Sequence, residues 1–310
     1  MLTAGLFLIY LSIILVLGDI LISQLFKILN YSTNTVGRFA ASLPVGLAAH
    51  LLLAHVLALF IIHSYRLSAC ISIGLMLLII FICHFKKYYS LNNLSTDLLS
   101  ISKSKEAWII FIGLLIAISC GIRGHLTDSD NTHIPWMAGI VLNNDYPPLL
   151  PVNPEYNLSF YHYGIDLLNS SIYSVTQALP WDAISMQVGI GAFAVFLAIY
   201  AIYDYFFKSF VVVLLATLFT TFFSSIMGWE FVYKFGTKIF EWSLKDFFYF
   251  WQQASLPAVT NIPYNLVLIS QNMGAAPLLI LLLLLLLLKD KSDTKFSFYK
   301  LGLPIILLSF

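Results

Sequence analysis

Charge is what this 310-residue chain has least of. Asp, Glu, Lys and Arg together make up 10% of it, where an average soluble domain carries about a quarter. A water-soluble globule is excluded on that ground, and so are a disordered chain and a coiled coil. Neither sign dominates either: 16 basic residues face 15 acidic ones, so no global field recruits nucleic acid. Cysteine is scarce. Cys70, Cys83 and Cys120 all fall inside apolar runs, without C-x-x-C or His/Cys metal spacing, which excludes a disulfide scaffold and reads as lipid- or core-facing thiols. No internal repeat is visible.

What is abundant is apolar surface. The chain is 60% hydrophobic and its mean hydropathy is +0.88, the composition of a polytopic membrane protein. A helix needs about 20 apolar residues to cross a hydrocarbon layer of about 30 Å. Eight runs are candidates: Leu2–Phe26, Ala40–Ile62, Leu67–Phe85, Ala107–Ile122, Met186–Phe206, Phe210–Met227, Leu266–Leu288 and Tyr299–Phe310. The expected fold is therefore all-α, a bundle of about eight spans with interfacial helices in its outer loops. Residues 1–26 hold no Lys or Arg and exceed a signal h-region, so they read as a retained span. The last run is too short to cross, which predicts that more chain follows it.

Orientation follows from the basic residues. With the N-terminus outside, the inner loops hold Lys27, Arg38, Lys86, Lys87, Lys103, Lys105, Lys208, Lys289, Lys291, Lys295 and Lys300. The outer loops hold Arg66, Arg123, Lys234, Lys238 and Lys245. The excess inside selects this orientation, in an inner or plasma membrane. Two long loops, 123–185 and 229–265, then face outward. The second is dense in aromatics, with Trp229, Tyr233, Trp242, Tyr249 and Trp251 suited to a headgroup layer.

The first outer loop is the informative one, because loops of this length are usually functional. It carries Asp128, Asp130, Asp145, Glu155, Asp166 and Asp182 against the single Arg123. From His133 to Leu142, Ile134, Met137 and Val141 recur at spacings of three and four, which predicts a helix lying on the membrane. Pro135 sits in its first turn, where a missing N–H costs little. Phe160–Gln177 reads as a second helix, leading through Leu179-Pro180 into the next span.

Asp128 and Asp130 stand between the fourth span and that surface helix, with His133 within reach across a tight turn. Unpaired N–H groups at the helix start stabilise an anion there. A carboxylate so held accepts a proton from a hydroxyl, or binds a divalent ion such as Mg or Mn. The plainer reading of D-x-D is a helix cap.

The wider pattern runs from an apolar span to Asp-Ser-x-x-x-His-x-Pro, an amphipathic helix ending in NND, then YPP, then FYHYG and a further span. This order resembles the GT-C superfamily of membrane glycosyltransferases. The matching positions are Asp128, Ser129, His133, Pro135, Asn144, Tyr146, Pro147, Tyr161, His162, Tyr163 and Gly164, and the likeness is fullest over 107–206. It implies a GT-C-like core module over 107–310, truncated at its C-terminus, with its catalytic loop at 123–185. Residues 1–106 then form extra N-terminal spans and a cytoplasmic loop. The family's loop usually follows the first span, whereas here it follows the fourth.

The resemblance implies an inverting sugar transfer from a polyprenyl-phosphate donor to a glycan, lipid or protein acceptor of the cell envelope. Asp128 takes the role of base, with Asp130 as its substitute or metal partner. Arg123, His125 and Lys234 are candidates to offset charge on the leaving phosphate. Tyr161, His162 and Tyr163 are candidates to line the sugar site, and Gln271 and Asn272 to bond its hydroxyls. For each lysine, ordinary headgroup contact is the simpler explanation.

Other polar residues read as structural. His50 and His55 lie about 140° apart on a helix and make a poor metal pair. Asp19, in the inner third of the first span, is best explained by snorkelling or an interhelical bond. Three competing functions stay open. A polysaccharide polymerase or ligase would carry more Arg in its loop. A transporter would carry polar or Pro-broken positions near midspan, for which His50, His55, Pro44 and Pro277 are the candidates, both prolines lying toward helix ends. The third is a non-catalytic member of the same fold.

Overall fold

The fold is described from a computed structural model, which defines residues 2–29, 35–127, 133–142, 146–147, 149–150, 153–157 and 164–223. These residues are helical almost throughout. The helices are α1 (Leu2–Leu29), α2 (Thr35–Leu57), α3 (Tyr65–Phe85), α4 (Leu91–Ser102), α5 (Glu106–Thr127), α6 (His133–Leu142), α7 (Gly164–Thr176), α8 (Pro180–Phe206) and α9 (Phe210–Phe223). A small antiparallel ribbon of β1 (Leu149–Leu150) and β2 (Asn153–Asn157) interrupts the helical order. It falls where Pro147, Pro148, Pro151 and Pro154 forbid a helix.

Among the described residues, four helical stretches are long and apolar enough to cross a membrane: Leu2–Lys27, Thr35–Ile62, Tyr65–Phe85 and Pro180–Asp204. A fifth is available if Leu94–Ser102 and Glu106–Ile122, bent by 91°, count as one broken span. The sixth expected span is the shorter apolar helix Phe210–Thr221. The runs at 266–288 and 299–310 lie outside the described residues.

Several helix starts differ from those expected. Helix α2 begins at Thr35 rather than Ala40, because the charge of Arg38 is neutralised within the protein. Arg38 Nε stands 2.8 Å from Asp19 Oδ1, and Arg38 Nη2 donates to Asp97 Oδ2 at 2.5 Å. Pro44 consequently lies buried inside α2 and not near its end. Helix α8 begins at Pro180, with Leu179 as its N-cap, since proline at the first helical position is already set for the helix. Helix α4 fills much of what reads as a plain cytoplasmic loop.

Small residues let the helices approach closely. A methyl at Gly18 would collide with the Ser42 carbonyl oxygen, and one at Gly46 with that of Ile14. Helices α1 and α2 therefore cross backbone against backbone. Helices α5 and α8 do the same through Ala117-x-x-x-Gly121 and Ser185-x-x-x-Gly189. A Cβ at 121 would meet the Ser185 oxygen at 2.9 Å, and one at 189 the Ala117 oxygen at 3.1 Å. Close packing of this kind drives helix association where lipid removes the hydrophobic force.

The α2–α3 connection is tight. A π-helical turn, Ala58–Ile62, ends at His63 in the left-handed region (φ 57°), with the His63 N–H donating to the Ala58 carbonyl at 3.1 Å. Of the four spans, α8 is the most enclosed and α3 the least. Leu77, Leu78, Phe81 and Phe85 of α3 remain exposed, an apolar side of the kind that suits lipid. The main core joins Tyr10 and Ile14 of α1, Leu43 of α2, Met76 of α3, Met137 of α6, Ile172 of α7 and Ile190 of α8. The N-terminal helices thus share one core with α6–α8.

Candidate functional site

At the end of the bundle where α2 turns into α3, an aromatic cluster fastens the stretch between α6 and α7. Tyr146 follows α6 by four residues and is buried. Its hydroxyl lies 2.6 Å from His55 Nδ1 of α2. Its ring meets the His55 imidazole edge-on at 5.5 Å and stacks on Tyr65 of α3 at 5.7 Å. The Tyr65 hydroxyl in turn donates to the Leu167 carbonyl at 3.1 Å and accepts from Ser171 Oγ at 2.9 Å, both in α7. Cys70 Sγ, a turn and a half further along α3, donates to the Ser174 carbonyl at 3.6 Å. Residues 1–85 therefore hold the chain on both sides of the loop.

Helix α6 was expected to lie on the membrane with Ile134, Met137 and Val141 facing down. Its bounds match that expectation, but its surroundings differ. Met137, Ile140 and Val141 are buried, Ile134 only partly, and the helix packs on α7. The protein covers the apolar face that a free surface helix would give to lipid.

Helix α7 carries an enclosed polar face. Asp166, Asn169 and Ser170, at i, i+3 and i+4, share one helix face and are all buried. Asp166 stands in the first turn, where the positive end of the helix favours an anion. Asn169 Oδ1 and Ser170 Oγ have no hydrogen-bond partner among the described residues. Gln187 of the neighbouring α8 is buried as well. Sequence reasoning counted Asp166 among the loop acids and gave it no role. The polar i, i+3, i+4 spacing was the signal that could have found this face.

The residues singled out from sequence fare unevenly. Asp128 and Asp130, the candidate base and metal partner, lie outside the described residues, between the end of α5 and the start of α6. His133 is the first residue of α6. Arg123 and His125, expected in a loop, lie in α5, which runs on to Thr127. Tyr161, His162, Tyr163, Lys234, Gln271 and Asn272 all lie outside the described residues. Among the described residues no group of three His, Cys, Asp or Glu side chains could hold a metal ion. Asp19 makes the interhelical bond, and His50 and His55 go to separate partners, Ser72 and Tyr146.

On another side of the bundle, α1, α5 and α8 enclose a cleft of about 520 Å³, within the usual range for a ligand pocket. Phe7, Leu11, Leu15, Leu114, Ile118 and Phe193 line it, and Gly121, Ser185 and Gly189 keep its floor low. Leu8 and Ile118 at its rim are exposed, so the cleft opens toward the lipid side.

No family model matches the chain, and no curated protein or solved structure matches it.

Proposed function

We propose that the protein is a membrane glycosyltransferase that moves a sugar from a polyprenyl-phosphate donor to a cell-envelope acceptor on the extracytoplasmic side. The observation that carries this reading is the order of elements around the acid pair. A long apolar helix ends at Thr127, Asp128 and Asp130 follow, and a separate helix starts at His133. In this reading the acid between the two helix ends stays near the membrane surface without entering hydrocarbon. The apolar cleft along α5 offers a berth for a greasy carrier chain on the same helix that leads to the acids.

In this reading Asp128 removes the proton of the acceptor hydroxyl. The freed oxygen attacks the anomeric carbon from the side opposite the phosphate, and polyprenyl phosphate leaves with the bonding pair. Arg123, His125 and Lys234 are the cationic candidates for the leaving phosphate. His162 between Tyr161 and Tyr163, with Gln271 and Asn272, are those for the sugar. The test is transfer of radiolabelled sugar from polyprenyl phosphate by membranes carrying the full chain. Asp128→Asn should abolish transfer at unchanged insertion, and full activity in that variant would remove the assignment of the base.

A transporter is the second reading, favoured by the polar interior of the spans. Pro44 lies inside α2, a π turn closes that helix, and Asp19 of α1 and His50 of α2 are buried. Solute flux in liposomes without any sugar transfer would select it.

A further inference from the structure

Three side chains from three helices meet in the interior of the bundle: Tyr10 of α1, His50 of α2 and Ser72 of α3, all fully buried. The Ser72 hydroxyl lies 3.3 Å from the His50 carbonyl oxygen, to which we assign its single hydrogen. Its oxygen, 3.0 Å from His50 Nδ1, is then left to accept. That arrangement requires the hydrogen of a neutral imidazole to sit on Nδ1. Nε2 becomes a bare acceptor, and it has no partner among the described residues. The Tyr10 ring meets the same imidazole edge-on, with centroids 5.5 Å apart and planes at 80°. Its hydroxyl, a donor, also has no partner among the described residues.

An unused acceptor and an unused donor thus occur on two touching rings. Leaving either unmade in a buried place is costly, more so where surrounding lipid supplies no water. A molecule that both donates and accepts satisfies the two together, and buried waters serve such groups.

We propose that one water molecule is bound between α1 and α2, donating to His50 Nε2 and accepting from Tyr10 Oη. The ligand is neutral, as are its three side chains, so the site is a hydrated joint within the bundle. This inference does not rest on the proposed activity.

The test uses the full chain, labelled with [15N]histidine, in lipid nanodiscs, with the His50 signals assigned by their loss in His50→Gln. The expected result is a protonated Nδ1, an unprotonated Nε2 and transfer of magnetisation from water to the His50 ring. A hydrogen on Nε2, or no transfer from water, overturns the proposal. Thermal unfolding of Tyr10→Phe gives an independent sign. A hydroxyl bonded to water makes the variant melt lower than the native chain. An unmet hydroxyl makes it melt at the same temperature or higher, which would also overturn the proposal. Should Tyr10→Phe fail to fold, the spectra of the native chain decide alone.

Discussion

Arg38 serves two carboxylates, and their surroundings predict unequal roles. Asp19 is 1% exposed and takes further hydrogen bonds from Tyr89 at 2.5 Å and Ser42 at 3.3 Å, whereas Asp97 is 31% exposed. An exposed ion pair contributes about 0–1 kcal/mol, and Asp97→Asn should cost no more than that. Arg38→Met leaves Asp19 as a buried charge without its cation, for which about 3–5 kcal/mol is typical. Because Arg38 is 25% exposed and Tyr89 and Ser42 remain, the lower end, about 3 kcal/mol, is expected. Removing both charges in Asp19→Asn/Arg38→Met should restore about 2 kcal/mol of that loss. Chemical unfolding in mixed micelles, run as a double-mutant cycle with Asp97→Asn alongside, reads all four values. If Asp97→Asn costs as much as Arg38→Met, or the double variant is less stable than Arg38→Met, the division between buried and exposed arms is wrong.

Glycine positions supply a contrast of sign in the same assay. Gly18→Ala and Gly46→Ala place a methyl on a neighbouring backbone and should each destabilise by about 1–3 kcal/mol. Gly74→Ala meets nothing within 4 Å and should stabilise α3 by about 0.5–1 kcal/mol. Tyr146→Phe removes the bond to His55 but leaves the stack on Tyr65, so a loss of about 1 kcal/mol and faster proteolysis within 143–163 are expected. Burial and its bond to Asp19 push the Tyr89 phenol well above its ordinary value. Its stabilising share is therefore present below about pH 10, where the unfolded phenol is still protonated, and is lost as pH rises further. Tyr89→Phe should reduce the fall in stability above that pH and leave the slope from pH 6 to 9 unchanged.

The long apolar helices α1, α2, α3 and α8 were legible because hydropathy over 20 residues outweighs any local detail, and α6 was legible to the residue because Pro135 marks its first turn. What misled was reading each charge alone. Arg38 looks like a loop residue until Asp19 and Asp97, from other helices, are seen beside it. The periodicity that found α6 could not tell protein from lipid as the cover of its apolar face. Ile140 is buried because α6 packs against protein. The cluster of His55, Tyr65 and Tyr146 was hidden for another reason. Tyr65 bonds Leu167 across 102 positions, and no motif links residues so far apart. Asp166, Asn169 and Ser170 were detectable by spacing within the expected helix Phe160–Gln177, which α7 matches in large part, yet Asp166 was counted with the loop's acids and the polar face of the helix was passed over.

Sugar transfer from a carrier in the outer leaflet requires the stretch between α5 and α6 to face outward. In a chain with Cys70, Cys83 and Cys120 replaced by Ala, Ser129→Cys supplies one thiol beside Asp128 and Asp130. Intact cells treated with a membrane-impermeant maleimide should label it without permeabilisation. Labelling only after the membrane is opened would put the acids on the cytoplasmic side and contradict the proposed reaction.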